Sequence, residues 1–494
     1  MSISRRDGRE PDEAARSGAG RDRDRHAASS AAPAEAADHE PGGSSAADTS
    51  PAGLRRAAGR AARQALPRGA HAEWSPSPDR VDPVALIVRG ERGRDASLMP
   101  LRHGRMAASP YAFFRGAAAI MAADLARTPS SGISVQLCGD AHLLNFGAYA
   151  APDRRLVFDL NDFDETHPGP WEWDVKRLAA SLAVAARDRR LAAADARALA
   201  LAAVGGYRAK MRELAGITDL DVWYARLDVA PLVHTVPNGV ERAELRGVLA
   251  AASTRDNVHS FARLTAIVDG GRRFVDRPPV LERLPEGALR KRVVGILGRY
   301  PASLAEDHRE LLSRYRLVDV ARKVVGVGSV GFAAYVALYL GRDDDDPLVL
   351  QVKEARRSAL ADHLPAHTVA DQGHRIVAGQ RLMQAVGDTF LGWATGPRGS
   401  SYYVRQLADM KWSLDIPSVP PKGLALFARL CGQALARAHA RSGDRIAIAA
   451  YLGSGDQFDR AIAAFAQAYA DRNALDHHAF QAAIAAGRLP AAPG

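Results

Sequence analysis

The distribution of large apolar residues divides the chain into a polar N-terminal segment and a long remainder. Over residues 1–78, hardly a large apolar side chain occurs before Leu54, and Ala, Gly, Ser, Pro, Arg and Asp predominate. Such a segment cannot bury enough apolar surface to offset the entropy that it loses on ordering. We therefore predict a disordered tail over residues 1–78, with a short helix around 53–66.

Apolar residues recur at helical spacing in several stretches of the remainder. A Ser-Pro pair opens one such stretch at 109–128, and a second runs from Trp173 to Leu191. A proline in the first turn favours helix initiation, and the spacing places the apolar side chains on one helix face. Most of 190–315 is predicted to be helical too, with further helices at 366–386 and in the Ala-rich C-terminal part.

Alternating or continuous apolar runs predict strands in two regions. The run 133–140 predicts a strand that leads into a loop, and 144–163 predicts a hairpin, because turn-forming residues separate two apolar segments. From about residue 315 the pattern predicts strand, glycine-rich turn, strand, acidic turn and strand, and 401–412 adds one more strand. The predicted fold class is α+β.

Composition narrows the class of protein. A chain of 494 residues with 47% hydrophobic residues exceeds one typical domain, so two lobes are expected. The net charge of +10 comes from dispersed arginines, without the basic stripe that would predict specific nucleic-acid binding. Two cysteines are too few for a disulfide framework or a cysteine-based zinc site. Neither a membrane span nor an export signal is indicated, so we expect a cytoplasmic protein.

Candidate catalytic residues are concentrated between the first predicted strand and the end of the hairpin. They are Asp140, His142, Asn145, Asp159, Asp162 and Asp164. Phosphoryl transfer requires an aspartate that orients or deprotonates an acceptor hydroxyl, and oxygen ligands that hold Mg²⁺ on the phosphates. Asp and Asn are also common turn formers and helix caps, and a single histidine is more often structural than catalytic. This alternative applies above all to Asp159 and Asp164.

A second candidate element lies near residue 330. Gly326, Gly328 and Gly331 form a Gly-x-Gly-x-x-Gly sequence between two predicted strands, and Lys353 lies on the strand that follows. The amides of such a loop can cover phosphates and a strand lysine can reach their charge, whereas a Rossmann loop would open a helix. Lysine is scarce, with seven residues against 59 arginines, so its presence in an apolar strand argues for a specific role. The alternative is an edge lysine that extends to water.

These motifs resemble those of known phosphotransferases. "GDAHLLNFG" and "NDFDE" are similar to the catalytic and metal-binding loops of aminoglycoside phosphotransferases and other protein-kinase-like enzymes. "GVGSVG" with "QVK" is similar to their nucleotide-binding lobe. Residues 82–480 as a whole resemble a bacterial family catalogued as a domain of unknown function and grouped with that superfamily.

The resemblance implies a protein-kinase-like two-lobed α+β fold that is circularly permuted. In ordinary kinases the glycine loop precedes the catalytic loop, whereas here it follows about 185 residues later. A permutation can keep the spatial arrangement, because domain termini often lie close together. The implied organisation is a mostly helical large lobe over 79–312 that helices at 413–494 complete, and a small antiparallel-sheet lobe over 313–412 with a hinge at "DMKWS".

The resemblance also implies roles for individual residues. Asp140 matches the catalytic aspartate, with His142 and Lys353 as further catalytic candidates. The implied metal ligands are Asn145, Asp162 and Asp164. The implied nucleotide-binding residues are Gly326, Gly328, Ser329, Gly331, Lys353 and Gln406. Asp174 resembles the structural aspartate that follows the metal loop.

The glutamate that usually pairs with the phosphate lysine is not evident. The helix predicted at 366–386 contains no glutamate. Gln380 or His374 would take this role, unless Glu354 does so from the lysine's own strand. A neutral partner would orient Lys353 less firmly.

The predicted function is that of an ATP- and Mg²⁺-dependent phosphotransferase acting on an unidentified hydroxyl of a small molecule or protein. The alternative is a catalytically weak nucleotide-binding pseudokinase that regulates or binds a partner. Metallophosphoesterases share the Gly-Asp-x-His element, but they also need a Gly-Asn-His motif, which this sequence lacks. Arg102, Arg105 and Arg115 are candidates either for an anionic pocket or for structural salt bridges.

Overall fold

The structure, a computed structural model, describes residues 49–234, 242, 257–268, 270–324, 326–407 and 414–492. Its α-helices are α1 (Pro51–Ala65), α2 (Pro83–Arg89), α3 (Met99–Ala107), α4 (Pro110–Gly116), α5 (Ala118–Leu125), α6 (Trp171–Asp188), α7 (Ala193–Ala215), α8 (Asp219–Tyr224), α9 (Val229–His234), α10 (Asn257–Leu264), α11 (Ala288–Arg299), α12 (Glu306–Ser313), α13 (Gln372–Met383), α14 (Pro421–Ser442), α15 (Arg445–Leu452) and α16 (Gln457–Ala485). Its strands are β1 (Ser134–Leu137), β2 (Phe146–Ala150), β3 (Leu156–Leu160), β4 (His167–Pro170), β5 (Thr265–Val268), β6 (Gly271–Phe274), β7 (Leu281–Arg283), β8 (Arg316–Lys323), β9 (Ala334–Leu340), β10 (Pro347–Ala355), β11 (Gly392–Thr395) and β12 (Ser401–Gln406). This mixture confirms the α+β class.

The largest sheet in the described residues has six strands in the order β11-β12-β10-β9-β8-β7, and its neighbours are antiparallel. β9 is buried along its whole length, because α11 and α12 cover one face of the sheet and α10 contributes to the other. Buried strands of this kind are continuous apolar runs rather than alternating ones, as "AYVALYL" is. Short pairs formed by β1 with β4 and by β2 with β3 lie outside this sheet.

The helical core is built around α6, which is buried from Trp171 to Ala186. α7, α14 and α16 pack around it. α7 and α14 also approach each other closely, since a Cβ at Gly432 of α14 would overlap the Ala203 carbonyl of α7. α6 is thus enclosed by packed helices, and this packing fixes the position of the residues in its first turn.

The N-terminal helix α1 confirms the short helix predicted around 53–66. Ser50 caps it by accepting a hydrogen bond from the Gly53 amide, and Pro51 occupies its first position. α1 packs against α15, where Gly59 meets the backbone of Ala447. The expected disorder is therefore wrong for residues 49–78, because their small side chains serve a helix-helix contact. The rest of the predicted tail lies outside the described residues.

The secondary-structure predictions were confirmed where the pattern was long or had a defined turn. The hairpin 144–163 is β2 and β3, and the strand series after residue 315 is β8, β9 and β10. The stretch 109–128 is helical but is divided at Ala117 into α4 and α5. The helical prediction for 190–315 is wrong at β5, β6 and β7, which are only three or four residues long.

The predicted domain boundary at residue 313 falls inside a packed unit. Leu297, Tyr300 and Leu312 share a hydrophobic cluster with residues of the six-stranded sheet. Residues 281–312 therefore pack with the sheet, although the prediction assigned them to the helical lobe. The predicted hinge at 409–413 lies outside the described residues. Within the described ranges, no helix is both long enough and apolar enough to cross a membrane.

Candidate functional site

The loop after β1 is fixed by a buried carboxylate. Asp174, in the first turn of α6, accepts hydrogen bonds from the backbone amides of Cys138 at 2.7 Å and Gly139 at 3.1 Å. Gly139 has a φ of +84°, and a Cβ there would overlap the Glu165 carbonyl, so glycine is required. Asp174 thus has the structural contact that its position after the hairpin suggested.

The next residue of this loop, Asp140, lies between a buried arginine and a buried histidine. Arg177 of α6 donates from Nε to Asp140 Oδ1 at 2.9 Å, and its Nη2 lies 2.7 Å from the same oxygen. The Arg177 guanidinium also stacks on the Phe114 ring, 3.8 Å from its centroid. The second oxygen, Asp140 Oδ2, lies 3.7 Å from His142 Nε2. One carboxylate oxygen is therefore anchored by Arg177, and the other lies near His142.

His142 is held as a neutral imidazole. Burial lowers its pKa to about 4, and the charge of Asp140 opposes this shift only in part. Its Nδ1 has no hydrogen-bond partner among the described residues. A neutral imidazole has one N–H donor and one acceptor nitrogen, so at neutral pH His142 is suited to positioning Asp140 through a hydrogen bond rather than to carrying a positive charge.

Asn145 and Asp162 bring metal-capable oxygens together. Asn145 Nδ2 donates to the Asp140 carbonyl at 2.7 Å, which leaves the amide oxygen as the atom able to bind a cation. The Asn161 amide donates to the Asn145 carbonyl at 2.8 Å, so the two loops lie side by side. In the described ranges no group of three or more His, Cys, Asp or Glu side chains could hold a metal ion. Asn145 and Asp162 fit Mg²⁺ only if phosphate oxygens complete the ligand set, which is the usual arrangement for this cation.

The partner of Lys353 is Asp164. Lys353 Nζ donates to Asp164 Oδ2 at 2.5 Å, and Tyr403 Oη donates to Oδ1 of the same carboxylate at 2.5 Å. Burial alone would lower the pKa of Lys353, but the charges of Asp162 and Asp164 outweigh it and raise that pKa above its ordinary value. Lys353 is therefore a buried, charged ammonium group, and the alternative of an edge lysine extending to water is wrong.

The three residues considered as partners of Lys353 have other contacts. Glu354 pairs with Arg356 at 2.7 Å, Gln380 donates to Gln384 at 2.8 Å, and His374 stacks on Trp393. β10 points Glu354 to the opposite face from Lys353, because successive strand residues alternate.

Helix α13 contributes to the site through backbone contacts instead. Arg375, which is fully buried, donates from Nη2 to the carbonyls of Asp164 at 2.9 Å and Arg356 at 2.8 Å, and from Nη1 to the carbonyl of Thr166. It thereby ties the segment after the hairpin to the end of β10. Asp164, which the resemblance assigned to the metal, is held in place as a partner for Lys353.

The glycine loop joins β8 and β9 and is held from its outer side. Its Gly326 and Gly331 have φ angles of +69° and +92°, which require glycine. Arg105 donates to the Gly326 carbonyl at 2.8 Å, and the Asp95 amide donates to the Gly331 carbonyl at 2.8 Å. A Cβ at Gly328 would lie 3.3 Å from the Arg115 carbonyl, so this position is tight as well.

Two cavities meet beneath this loop. The first, of about 610 Å³, is lined by Lys353 and Gln406, among others. The second, of about 680 Å³, is lined by Asp140 and His142. Their linings share five residues, which are Arg115, Asn145, Asp162, Gly326 and Ser329. The shared border thus combines two metal-capable side chains, the glycine loop and one arginine.

Gln406, the last residue of β12, lies in the wall of the first cavity. Its backbone amide donates to Asp388 at 2.6 Å. The neighbouring Arg405 donates to the Asn161 carbonyl at 3.0 Å and to Gln351 at 3.2 Å, so the end of β12 is linked to the hairpin. These contacts connect the wall of the first cavity formed by the end of β12 to the segment that contains Asn161 and Asp162.

The three arginines named as pocket candidates have different roles. Arg102 is buried and pairs with Glu91, and Arg105 binds the glycine loop. Arg115 makes no salt bridge among the described residues and lines both cavities. Asp159 is also structural, because it forms a fully buried ion pair with Arg437 at 2.8 Å.

Arg177, Arg375 and Tyr403 were not predicted as site residues. Only Arg177 carries a sequence signal, since it follows Asp174 by three positions and so shares its helix face. Arg375 and Tyr403 reach the site from elements far along the chain, and no spacing in the sequence indicates that contact.

A comparison with protein families shows to which family the chain belongs. Residues 94–483 match the family described as "Uncharacterized protein conserved in bacteria (DUF2252)". The chain belongs to this family, and the matched residues include the whole lining of the first cavity and most of that of the second. Neither the curated proteins nor the solved structures contain a match to this chain.

Proposed function

We propose that the protein is an ATP- and Mg²⁺-dependent phosphotransferase with a protein-kinase-like, circularly permuted fold. The observation that carries this proposal is the shared border of the two cavities. A phosphoryl group that passes from a nucleotide to an acceptor must lie between their two sites. The border contains the side chains that this transfer needs, namely two metal-capable oxygens and a glycine loop, with a buried lysine beside it.

The nucleotide fits the first cavity. Lys353 supplies a buried positive charge for the phosphates, and the end of β12 with Gln406 supplies the edge against which a base can bind. Mg²⁺ held by Asn145 and Asp162 would neutralise charge on the phosphate oxygens. The buried ion pair with Asp164 keeps the Lys353 ammonium group in one position, which a neutral partner could not do as firmly.

The acceptor hydroxyl fits the second cavity, beside Asp140. In the proposed step the hydroxyl oxygen forms a bond to the γ-phosphorus, the bond from that phosphorus to the β–γ bridging oxygen breaks, and ADP leaves. The hydroxyl proton passes to Asp140, whose Oδ1 is anchored by Arg177 so that Oδ2 receives it. His142, whose pKa burial lowers to about 4, lies next to that oxygen as a neutral imidazole, with its Nε2 3.7 Å from Oδ2.

The permuted order of the motifs is compatible with this site. Lys353 and the glycine loop follow Asp140 in sequence, yet they line cavities that share a border with the Asp140 loop. Contacts such as Arg375 with the Asp164 carbonyl link the two halves directly. The alternative of a pseudokinase depended on the lack of a carboxylate partner for Lys353. Asp164 is such a partner.

Mg-ATP binding by calorimetry tests the proposal. Lys353→Met and Asp162→Asn should each weaken binding by tenfold or more, because the first removes a positive charge next to the phosphates and the second removes a carboxylate that would hold Mg²⁺. Lys422→Met and Asp307→Asn are matched controls, since both residues are exposed and lie outside the linings of both cavities. Absence of binding by the folded wild-type protein would refute the proposal, as would equal affinity in all four variants.

A further inference from the structure

We propose that the second cavity binds an acidic acceptor, a hydroxyl compound that also carries a carboxylate or phosphate monoester group. This inference rests on the proposed phosphotransferase function and names the class of compound that the enzyme would phosphorylate. Three features of the cavity lining support it: two arginines without an ion-pair partner among the described residues, the pairing of most of its carboxylates, and the kind of buried polar atom that is left without a partner.

Beside six carboxylates, the polar lining of the second cavity contains six arginines. They are Arg89, Arg94, Arg102, Arg115, Arg356 and Arg357. Guanidinium groups form bidentate hydrogen bonds with carboxylates and phosphates, and they are weakly hydrated, so a partly enclosed cavity lined with them is suited to an anion.

The carboxylates of the same lining are mostly engaged already. Asp140 pairs with Arg177, Asp164 with Lys353, and Asp362 with Arg357. Glu354 pairs with Arg356 at 2.7 Å, and burial raises the pKa of Glu165. Asp162, the sixth carboxylate of the lining, is the proposed Mg²⁺ ligand. Neither Arg94 nor Arg115 has an ion-pair partner among the described residues, although the charge of Glu165 acts favourably on Arg94.

The polar atoms left unpartnered in this lining are all nitrogens. Buried side-chain atoms without a hydrogen-bond partner in the described chain are Nε of Arg102, Nε of Arg115, Nε of Arg356 and Nδ1 of His142. No carboxylate or amide oxygen of the lining is in this state. Guanidinium nitrogens can only donate, and an unsatisfied buried donor is costly, so the polar imbalance of this lining is on the donor side and the charge of a bound anion would reduce it.

The surroundings of Arg94 also favour the binding of an anion. Burial, with the nearby Arg102 charge next, lowers the pKa of Arg94 to about 9. A positive charge that its surroundings disfavour is stabilised when an anion enters. Arg94 itself donates to the Gly90 and Val330 carbonyls and stacks on Phe332, so it supports the glycine loop and contributes charge from the wall.

Arg115 is the residue expected to contact the anion. It lies at the border between the cavities, and its charge is not used by a carboxylate of the described chain. An acidic group bound there would place the rest of a small acceptor next to Asp140, which lines the same cavity. Arg115 would thus orient the acceptor hydroxyl and give selectivity for acidic over neutral compounds.

The test measures small acidic probes on protein saturated with Mg²⁺ and the non-hydrolysable nucleotide AMP-PNP. Glycerol 3-phosphate, D-glycerate and glycerol are titrated separately at constant ionic strength, and binding is followed by calorimetry and by the melting temperature. The first two probes distinguish a phosphate from a carboxylate requirement. We expect at least one of them to bind and glycerol not to bind. Arg115→Gln should weaken acid binding by about tenfold or more.

Two further variants keep the test decisive. Arg115→Lys retains the charge without the planar fork and should lose less affinity than Arg115→Gln. Arg314→Gln, at an exposed arginine paired with Glu310, makes the same change in net charge elsewhere and should have no effect.

The outcomes separate this inference from the proposed function. If AMP-PNP binds but no acidic probe does, or if glycerol binds as well as the acids, the acidic-acceptor inference is wrong and the phosphotransferase proposal remains. Acid binding that is unchanged in Arg115→Gln would also overturn it. If AMP-PNP does not bind to the folded protein, the proposed function fails, and with it the assignment of the cavity as an acceptor site.

Discussion

The ion pair between Lys353 and Asp164 joins β10 to the segment after the hairpin, and its removal has a calculable cost. The side chain of Lys353 is 6% exposed and that of Asp164 is 29% exposed. Removing one partner of a buried pair costs about 3–5 kcal/mol, because the other charge is left without compensation. Partial exposure of Asp164 reduces this cost, so we expect Asp164→Asn to lower the free energy of unfolding by about 2–4 kcal/mol.

The double variant gives the sharper measurement. Lys353→Met replaces the ammonium group by an apolar chain of similar length and leaves a carboxylate that water and Tyr403 can still reach. Once the lysine is absent, Asp164→Asn removes no buried ion pair, so the effects of the two changes should not add. We expect a coupling free energy of about 1–3 kcal/mol between them, measured by urea unfolding of the wild type, both single variants and the double variant. Effects that add to within about 0.5 kcal/mol would refute the pairing.

Three further predictions concern the loop, the candidate base and a remote histidine. Gly139→Ala should cost about 1–3 kcal/mol more in urea unfolding than Gly132→Ala, since both positions have positive φ but only Gly139 is crowded; equal losses would contradict the fit of this loop. Asp140→Asn should keep Mg-ATP affinity within about twofold and reduce phosphoryl transfer by about 10²-fold or more, measured as ADP release; a variant with full turnover would exclude Asp140 as the base. Burial lowers the pKa of His71 to about 3, so it contributes stability that is fully present above pH 6.5 and is lost as the pH falls towards 3. Urea unfolding at pH 7 and pH 4.5 should therefore show a smaller loss in His71→Gln than in wild type, whereas His308→Gln, at a more exposed histidine, should match wild type.

Local sequence patterns predicted the hairpin and the strands that carry the candidate site residues. The hairpin 144–163 has two apolar segments with turn-forming residues between them, and β9, after the glycine loop, is a continuous apolar run. β5, β6 and β7 are only three or four residues long, and β6 and β7 also carry charged side chains such as Arg273 and Glu282. Such strands are defined by their partners in space, which periodicity along the chain does not record.

The partner of Lys353 shows the same limit at the level of one residue. Asp164 was visible as a carboxylate next to Asp162, and its position in the motif suggested a metal ligand or a cap. Whether it meets a metal or the lysine depends on how β10 lies against the segment after the hairpin. Arg375 sets that arrangement from α13 by binding carbonyls on both sides. No spacing in the sequence indicates that β10, the segment after the hairpin and α13 meet at this point.

The contacts that build the site join segments that are far apart in sequence. The Asp140 loop is held by Asp174 of α6, and Asp174 in turn contacts His439 of α14, which follows the strands of the six-stranded sheet in sequence. The glycine loop is held by Asp95 and Arg105, which precede the Asp140 loop by several elements. Each half of the site is therefore supported by residues from the other side of the chain. An arrangement of this kind is specified by side-chain contacts across the fold and does not depend on which motif comes first, so long as α6, α14 and the six-stranded sheet keep their packing.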